Sequence, residues 1–110
     1  MQLDEGLDTG DILYVQPVAI DPDMTSGELF DRVSAIGAKT LVEVLPKIEA
    51  GKLEPQKSKK NHLATKAPSL TKEMAQFDFT QPAAHIHNWV RGMNPWPGAW
   101  FITSGGKKLK

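Results

Sequence analysis

The chain has 110 residues, a length that suits one small domain with a modest core. Its 13 basic and 13 acidic side chains give a formal net charge of zero, and 40% of its residues are hydrophobic, an ordinary value for a globular protein. It has no run of about 18 apolar residues, which excludes a membrane-spanning helix. The lack of cysteine excludes disulfides, thiolate metal sites and a cysteine nucleophile.

The balanced total hides an uneven distribution of charge. Residues 1–31 carry acidic side chains and no base, unlike a secretory or mitochondrial presequence. Residues 52–72 carry Glu54 as their one acid and are rich in lysine: Lys52, Lys57, Lys59, Lys60, Lys66 and Lys72. Such a run either forms a solvated surface or approaches a polyanion such as RNA, and composition alone does not decide between the two.

The chain begins with a predicted loop and a predicted strand. Glycines and acids between Asp4 and Gly10 are typical of a loop. Residues 11–20 are rich in β-branched and aromatic side chains, which predicts a strand. Pro17 has no N–H for a ladder, so we expect this strand to lie at an edge or to carry a bulge.

A long amphipathic helix is predicted next. Thr25 and Glu28 form a capping box, and apolar residues then recur at steps of three and four. Gly37 and Pro46 are poor helix-interior residues, which predicts a break or a kink. Gly51 is expected to end the helix.

The rest of the chain is predicted as a connection, a helix and a hairpin. Residues 52–80 lack periodicity and are expected to form a long loop, with a short extended piece at residues 77–79. A second helix should have Thr80 or Gln81 as its N-cap and end at Asn94-Pro95. Residues 99–103 should form a strand, followed by a two-residue turn within residues 104–107 and a return strand over residues 107–110. Because the return strand stops so soon, we expect the chain to continue.

Five stretches carry recognisable motifs. They are residues 1–13 (Met-Gln-Leu-Asp-Glu-Gly-Leu-Asp-Thr-Gly-Asp-Ile-Leu), residues 25–32 (Thr-Ser-Gly-Glu-Leu-Phe-Asp-Arg), Ala64-Thr65 with Ala67-Pro68, Phe77-Asp78-Phe79, and residues 90–100 (Val-Arg-Gly-Met-Asn-Pro-Trp-Pro-Gly-Ala-Trp). In this order they resemble signatures of the formyltransferase family that uses 10-formyltetrahydrofolate. One such motif is weak evidence, but five in order are hard to obtain by chance.

The resemblance implies an α/β fold. Residues 1–51 correspond to the C-terminal part of a Rossmann-like catalytic domain and residues 52–80 to a lysine-rich connection. Residues 81–98 correspond to a helix and a Pro-Trp-Pro-Gly corner, and residues 99–110 to the first hairpin of a small β-barrel domain.

The resemblance also implies an activity: transfer of a formyl group from 10-formyltetrahydrofolate to the amino group of methionine on initiator tRNA. Folate and initiator tRNA would be the partners, no metal or membrane would be needed, and the location would be the cytoplasm or, in a eukaryote, the mitochondrial matrix. Two alternatives stay open. The formyl acceptor is water, as in the hydrolase branch of the family, or the chain binds folate or a partner without catalysis.

The same resemblance assigns the candidate site residues. Asp8 matches the family's catalytic aspartate, which pairs with a histidine and orders a water that moves protons. Asp4, Glu5, Gly6 and Leu7 match the loop that lies along the pterin ring of the cofactor. From spacing alone, a residue that stabilises a turn is the favoured interpretation of Asp8, and the family match reverses that preference. Lys57, Lys59 and Lys60 are the candidates for tRNA contact.

This chain departs from the family pattern in several places. The family's Asn-x-His pair and Ser-Leu-Leu-Pro motif, which lie upstream of the Leu-Asp-Thr-Gly loop, are absent. Lys66, Ser69 and Phe79 stand where other residues are usual. Met1 falls where the family commonly has an internal methionine. We therefore expect a chain truncated at both ends that is catalytically incomplete by itself.

Other candidate sites are weaker. His85 and His87 are two residues apart on a predicted helix and point in different directions, and His62 has no partner nearby, so metal binding is not expected. The three tryptophans at positions 89, 96 and 100 are typical of packing anchors rather than a stacking platform for bases. Arg91 is expected to have a structural role.

Overall fold

A computed structural model describes residues 1–57, 63 and 65–110 of the chain. Within these residues the protein contains two α-helices and one antiparallel hairpin, in agreement with the predicted α/β class. The chain divides into two compact units, residues 1–19 with 33–67 and residues 20–32 with 68–110. The elements are α1 (Ser26–Glu49), α2 (Ala83–Gly92), β1 (Phe101–Ile102) and β2 (Lys108–Leu109).

The predicted capping box starts α1. The Thr25 amide donates to Glu28 Oε2 at 2.8 Å, and the Glu28 amide donates to Thr25 Oγ1 at 3.3 Å. Two amides without helical acceptors are thereby satisfied. The Thr25 amide and hydroxyl also hold the pKa of Glu28 below its ordinary value, because both donate to the charged form of its carboxyl.

A break or a kink was predicted in α1; the break is wrong, because the helix is continuous from Ser26 to Glu49, whereas the predicted end at Gly51 is confirmed. Pro46 lies in the last turn, where it removes one helical hydrogen bond, and the Ala50 amide still reaches the Pro46 carbonyl at 3.0 Å. Gly51 has a φ of +64° and donates to Ile48 O, while Lys52 donates to Lys47 O. This is a Schellman motif, which uses the positive φ that glycine adopts without strain.

Much of the apolar surface of α1 is uncovered. Phe30 is 75% exposed, Val42 72% and Leu41 56%. A cavity of about 380 Å³ runs along one side of the helix. Its lining is mostly apolar and includes Leu13, Tyr14, Val18, Val33, Ile36 and Val44. A helix with such a wide apolar stripe usually packs on other elements along its length.

We predict that the 110-residue polypeptide, expressed alone, has low stability or self-associates, because exposed apolar patches of this size drive association. Sedimentation velocity over a range of concentrations measures this. Replacing Leu41 and Leu45 by glutamine should shift the population toward monomer. A monodisperse monomer with a sharp, cooperative thermal transition would show the prediction to be wrong.

Residues 1–10 form a loop as predicted, but the strand predicted over residues 11–20 does not form. Ile12 makes an isolated antiparallel bridge with Gln56, through N···O distances of 2.7 and 2.8 Å. No further ladder pairing involves residues 13–18 among the described residues. A strand requires a neighbouring strand, and β-branched composition cannot supply one.

The start of α2 also differs from prediction. Pro82 itself is the N-cap, with φ −55° and ψ 143°, and no side chain caps the helix. The Pro82 carbonyl accepts from the His85 and Ile86 amides. Thr80 instead forms a turn with Asp78, whose carboxylate accepts from the Thr80 amide at 2.8 Å. The Thr80 hydroxyl and the Thr80 amide both donate to the Asp78 carboxylate, and they hold the pKa of Asp78 below its ordinary value.

The hairpin forms with a different turn. Phe101 pairs with Leu109 and Ile102 with Lys108. The Thr103 amide also donates to the Lys107 carbonyl at 2.9 Å, so the loop consists of residues 104–106, three residues rather than two. Gly106 has a φ of +76°, the conformation that a three-residue loop with a bulge requires. The extended piece expected at residues 77–79 is also displaced, because the parallel bridge to Trp100 is made by Gln76.

Small cores hold the units. Met24, Ala75 and Met93 are buried in the second unit, and Val44 is buried in the first. None of the helices in the described part of the chain is long and apolar enough to cross a membrane.

Candidate functional site

Residues 2–11 form the candidate cofactor loop, whose two ends are joined by a backbone hydrogen bond. The Gln2 amide donates to the Asp11 carbonyl at 2.8 Å, so the first and last residues of the loop lie side by side. The Ile12–Gln56 bridge follows directly and ties the base to the start of the long connection. A surface loop closed in this way presents its middle residues to a ligand from a fixed base.

Asp4 organises the loop from within. Its Oδ1 accepts a hydrogen bond from the Gly6 amide at 3.0 Å and another from the Thr9 hydroxyl. This arrangement is an Asx turn, in which a short carboxylate bonds to the backbone two residues further on. The Asp4 carboxylate is thus engaged by the loop itself. The part played by Thr9 was not identified from the sequence, although an Asp-x-Gly segment is a usual signal for the turn.

The two loop glycines are required for space rather than for an unusual φ. A Cβ on Gly10, a buried residue, would overlap the Gln2 carbonyl oxygen and lie 2.8 Å from its carbon. A Cβ on Gly6 would overlap Thr9 Oγ1. The obstacle at Gly10 is backbone, whereas the obstacle at Gly6 is a side chain. A larger residue is therefore expected to distort the loop more at position 10 than at position 6.

Asp8 lies in the same loop and has an unusual backbone conformation. Its φ is +57°, a left-handed conformation that aspartate tolerates better than most residues. The side chain is exposed, and no hydrogen bond or ion pair joins it to any of the described residues. Glu5 is exposed as well, and Leu7 is 92% exposed. These three side chains are available to a ligand or to another part of a larger protein.

Among the lysine candidates, Lys57 lies within the described residues, and Lys59 and Lys60 lie outside them. Lys57 is exposed and follows Gln56, the residue that pairs with Ile12 at the base of the cofactor loop. The sequence did not identify this pairing, because a single bridge between two irregular segments leaves no periodic signal.

The histidines of α2 have separate partners. His87 Nε2 lies 3.2 Å from Asp23 Oδ1 and 3.3 Å from the Pro22 carbonyl. His85 stacks on Trp89 with ring centroids 5.8 Å apart. Within the described ranges no three metal-ligating side chains form a group, and His62 lies outside them. Metal-free chemistry remains a prediction.

The tryptophans were predicted to be packing anchors, and they differ in how far they are buried. The Trp100 indole N–H donates to the Lys72 carbonyl at 2.7 Å, and Lys108 Nζ lies 3.7 Å from the centre of its ring. Trp89 is half-buried. Trp96 is 55% exposed, so the expectation of a packing anchor is wrong at that position. Its neighbour Pro97 is the buried residue of the corner.

Comparison with known families accounts for most of the chain. Residues 1–45 match the family described as "Formyl transferase", and residues 69–110 match "Formyl transferase, C-terminal domain". The two matches occur in the order that the motifs predict, and together they contain the candidate cofactor loop, most of α1, and all of α2 and the hairpin. The chain belongs to the formyltransferase family.

Curated relatives of the chain include methionyl-tRNA formyltransferases. The protein from Acidobacterium capsulatum is 49% identical over 109 residues, which is 99% of this chain and 34% of that protein. The protein from Heliobacterium modesticaldum is 47% identical over 110 residues, again 34% of its length. The chain therefore spans about a third of the curated relatives that it matches.

Solved structures share the fold. A 4-N formyltransferase from Francisella tularensis aligns with a TM-score of 0.75 and 21% identity, over 97% of this chain and 46% of that one. A sugar N-formyltransferase from a Shewanella species aligns with a TM-score of 0.68 and 16% identity, over 97% and 45% of the two chains. At these identities the likeness concerns the fold alone.

Proposed function

We propose that this chain is part of a methionyl-tRNA formyltransferase, which transfers the formyl group of 10-formyltetrahydrofolate to the amino group of methionine on initiator tRNA. The observation that carries the proposal is identity of 42–49% to enzymes of that name, over 92% or more of this chain. Residues 1–51 would belong to a Rossmann-like catalytic domain, residues 52–80 to the connection, residues 81–98 to the helix and corner, and residues 99–110 to a β-barrel domain. The uncovered apolar stripe of α1 suits a helix that packs on a sheet.

The cofactor loop would hold the formyl donor. Gly6 lets the backbone approach a flat heterocycle closely, and the exposed Leu7 offers apolar contact to its face. Asp4 would act through the Asx turn that shapes the loop, and Glu5 would border the ligand. No step of this chemistry calls for a metal ion.

Asp8 would supply the proton transfer. Attack of an amine on a formyl group gives a tetrahedral intermediate, whose amine proton must reach the departing folate nitrogen. A carboxylate paired with a histidine orients the imidazole and stabilises its cation. The exposed Asp8 carboxylate is free to accept such a partner, which the family resemblance locates in sequence upstream of this loop.

Lys57, Lys59 and Lys60 would contact the tRNA backbone. We expect Lys57→Ala in the full-length protein to weaken tRNA binding and to reduce the salt slope of log K by about one unit, because each phosphate contact releases about one counterion. Lys39→Ala removes an exposed lysine of α1 and is the matched control. Filter binding between about 50 and 200 mM salt measures both variants. An unchanged slope for Lys57→Ala would remove this residue from the interface.

The reaction itself can be tested in the source cells. Acid gel electrophoresis separates formylated from unformylated methionyl-tRNA, so depletion of the protein should convert the first into the second. Restoring the wild-type gene should reverse the change. If the formylated fraction is unaffected by depletion, the acceptor is not initiator tRNA, and the hydrolase and non-catalytic alternatives replace this proposal.

A further inference from the structure

The start of α1 is held by a backbone carbonyl from near the other end of the chain. Amides in the first turn of a helix have no acceptor within the helix. The Gly27 amide donates to the Asn94 carbonyl at 3.0 Å, and the Ser26 hydroxyl donates to the same oxygen at 2.6 Å. One carbonyl, which comes just after α2, thus satisfies two donors of a helix that begins 68 residues earlier.

Arg91 holds the residues that lead into α1. One guanidinium nitrogen donates to the Met24 carbonyl at 3.0 Å, and Nε donates to Asn88 Oδ1 at 2.9 Å. The bond to Asn88 fixes the plane of the guanidinium, since both residues lie on α2 three positions apart. Met24 itself is buried. The arginine therefore connects α2 to a fixed point of the chain before α1.

The contact is also closely fitted. A Cβ on Gly27 would lie 2.7 Å from Pro95 Cδ, which is too short for a carbon–carbon contact, and the proline ring has little freedom to move away. A further contact is made by His87, which lies 3.2 Å from Asp23. All of these residues belong to one compact unit, residues 20–32 with 68–110.

We propose that residues 22–27 and 87–95 form an interlock through which the segments matched by the two formyltransferase family models stabilise each other. Residues 22–27 belong to the first matched segment and residues 87–95 to the second. The interlock gives a role to the Arg-Gly-Met-Asn-Pro motif, which the proposed reaction does not use. Within the motif, Arg91 and Asn94 bond to the start of α1 and the residues before it, and Pro95 lies against Gly27, whereas Gly92 takes no part in the contact. The inference is independent of the identity of the formyl acceptor.

An interlock predicts reciprocal effects, because each half stabilises the other. In the full-length protein, Arg91→Ala should accelerate amide hydrogen exchange in the first turn of α1 by about tenfold or more. Gly92→Ala is the matched control, since a Cβ there meets no atom within 4 Å. The Gly6 amide, which lies in the other unit, should not respond to either change. Exchange measured by mass spectrometry with peptide resolution separates these segments.

The reverse substitution tests the other direction. Gly27→Ala should accelerate exchange of the Gly98 amide, which donates to the Met93 carbonyl at 2.8 Å. Ser26→Ala removes only the hydroxyl that donates to the Asn94 carbonyl. It therefore tests the same effect on the Gly98 amide if Gly27→Ala prevents folding. The expected result is that each substitution changes exchange on both sides of the contact. Changes confined to the substituted side would overturn the proposal.

Discussion

Asp8→Asn in the full-length protein is expected to lower kcat for formyl transfer by about 10²- to 10⁴-fold, the usual contribution of a positioned acid or base. Asparagine has the same shape and also tolerates the left-handed conformation at this position, where φ is +57°. The loop should therefore keep its form. The loss should appear in kcat, with the KM for the formyl donor little changed, because the role proposed for the carboxylate lies in proton transfer and not in holding the cofactor.

Asp11→Asn is the matched control for this experiment. Asp11 lies in the same loop, but its part in closing the loop is made by its backbone carbonyl, which asparagine retains. Single-turnover kinetics isolate the chemical step from product release in both variants. If Asp8→Asn retains kcat within about threefold of wild type, Asp8 is not a catalytic residue, and its role is that of a turn former.

Gly10→Ala should disrupt the cofactor loop. The new Cβ would overlap the Gln2 carbonyl oxygen, so the closure between Gln2 and Asp11 must open or distort. Overpacking of this kind costs about 1–3 kcal/mol. If the donor binds only the closed loop, its affinity should fall by about 5- to 150-fold. Isothermal titration with the folate donor in the full-length protein measures the change.

Two glycines in this chain give graded controls for Gly10. In Gly6→Ala the new Cβ would overlap the Thr9 side chain, which can rotate away if its hydrogen bond to Asp4 breaks. We therefore expect a smaller loss of donor affinity than for Gly10→Ala. Gly37→Ala in α1 meets no atom within 4 Å and should leave donor affinity unchanged. Equal effects for Gly10 and Gly37 would mean that the loop does not bind the donor in its closed form.

Local signals in the sequence predicted the ends of α1 correctly. The Thr25–Glu28 capping box and the stop at Gly51 depend on a few neighbouring residues, so the sequence contains all the information they need. The break in α1 was predicted wrongly for a related reason. Propensity counts Pro46 as a helix breaker, but α1 continues through it to Glu49 at the loss of one helical hydrogen bond.

Features that depend on distant partners could not be predicted in the same way. The strand expected over residues 11–20 needs a neighbouring strand, and among the described residues this region makes a single β-bridge, from Ile12 to Gln56. The parallel bridge from Gln76 to Trp100 joins segments with no common periodicity. In the hairpin, Gly105 and Gly106 fit several turn types, and the pairing of Phe101 with Leu109 decides which one forms.

The sequence singled out candidate site residues, whose role stays a prediction, but it did not show how the loop that carries them is organised. The motif identified Asp8 and the Asp4–Leu7 segment, and these residues lie together on one closed loop. It could not distinguish Asp4, whose carboxylate accepts hydrogen bonds from the loop, from Asp8, whose carboxylate has no partner among the described residues. That difference follows from the Asx turn and from the left-handed backbone of Asp8, and both depend on the three-dimensional path of the loop.

Transfer of a labelled formyl group tests the central claim most directly. The purified full-length protein is given 10-formyltetrahydrofolate labelled in the formyl carbon, with and without methionyl initiator tRNA. We predict that the label appears on the tRNA, and that Asp8→Asn lowers this transfer by about 10²-fold or more. Release of the label as formate at the same rate with and without tRNA would contradict the account and identify water as the acceptor.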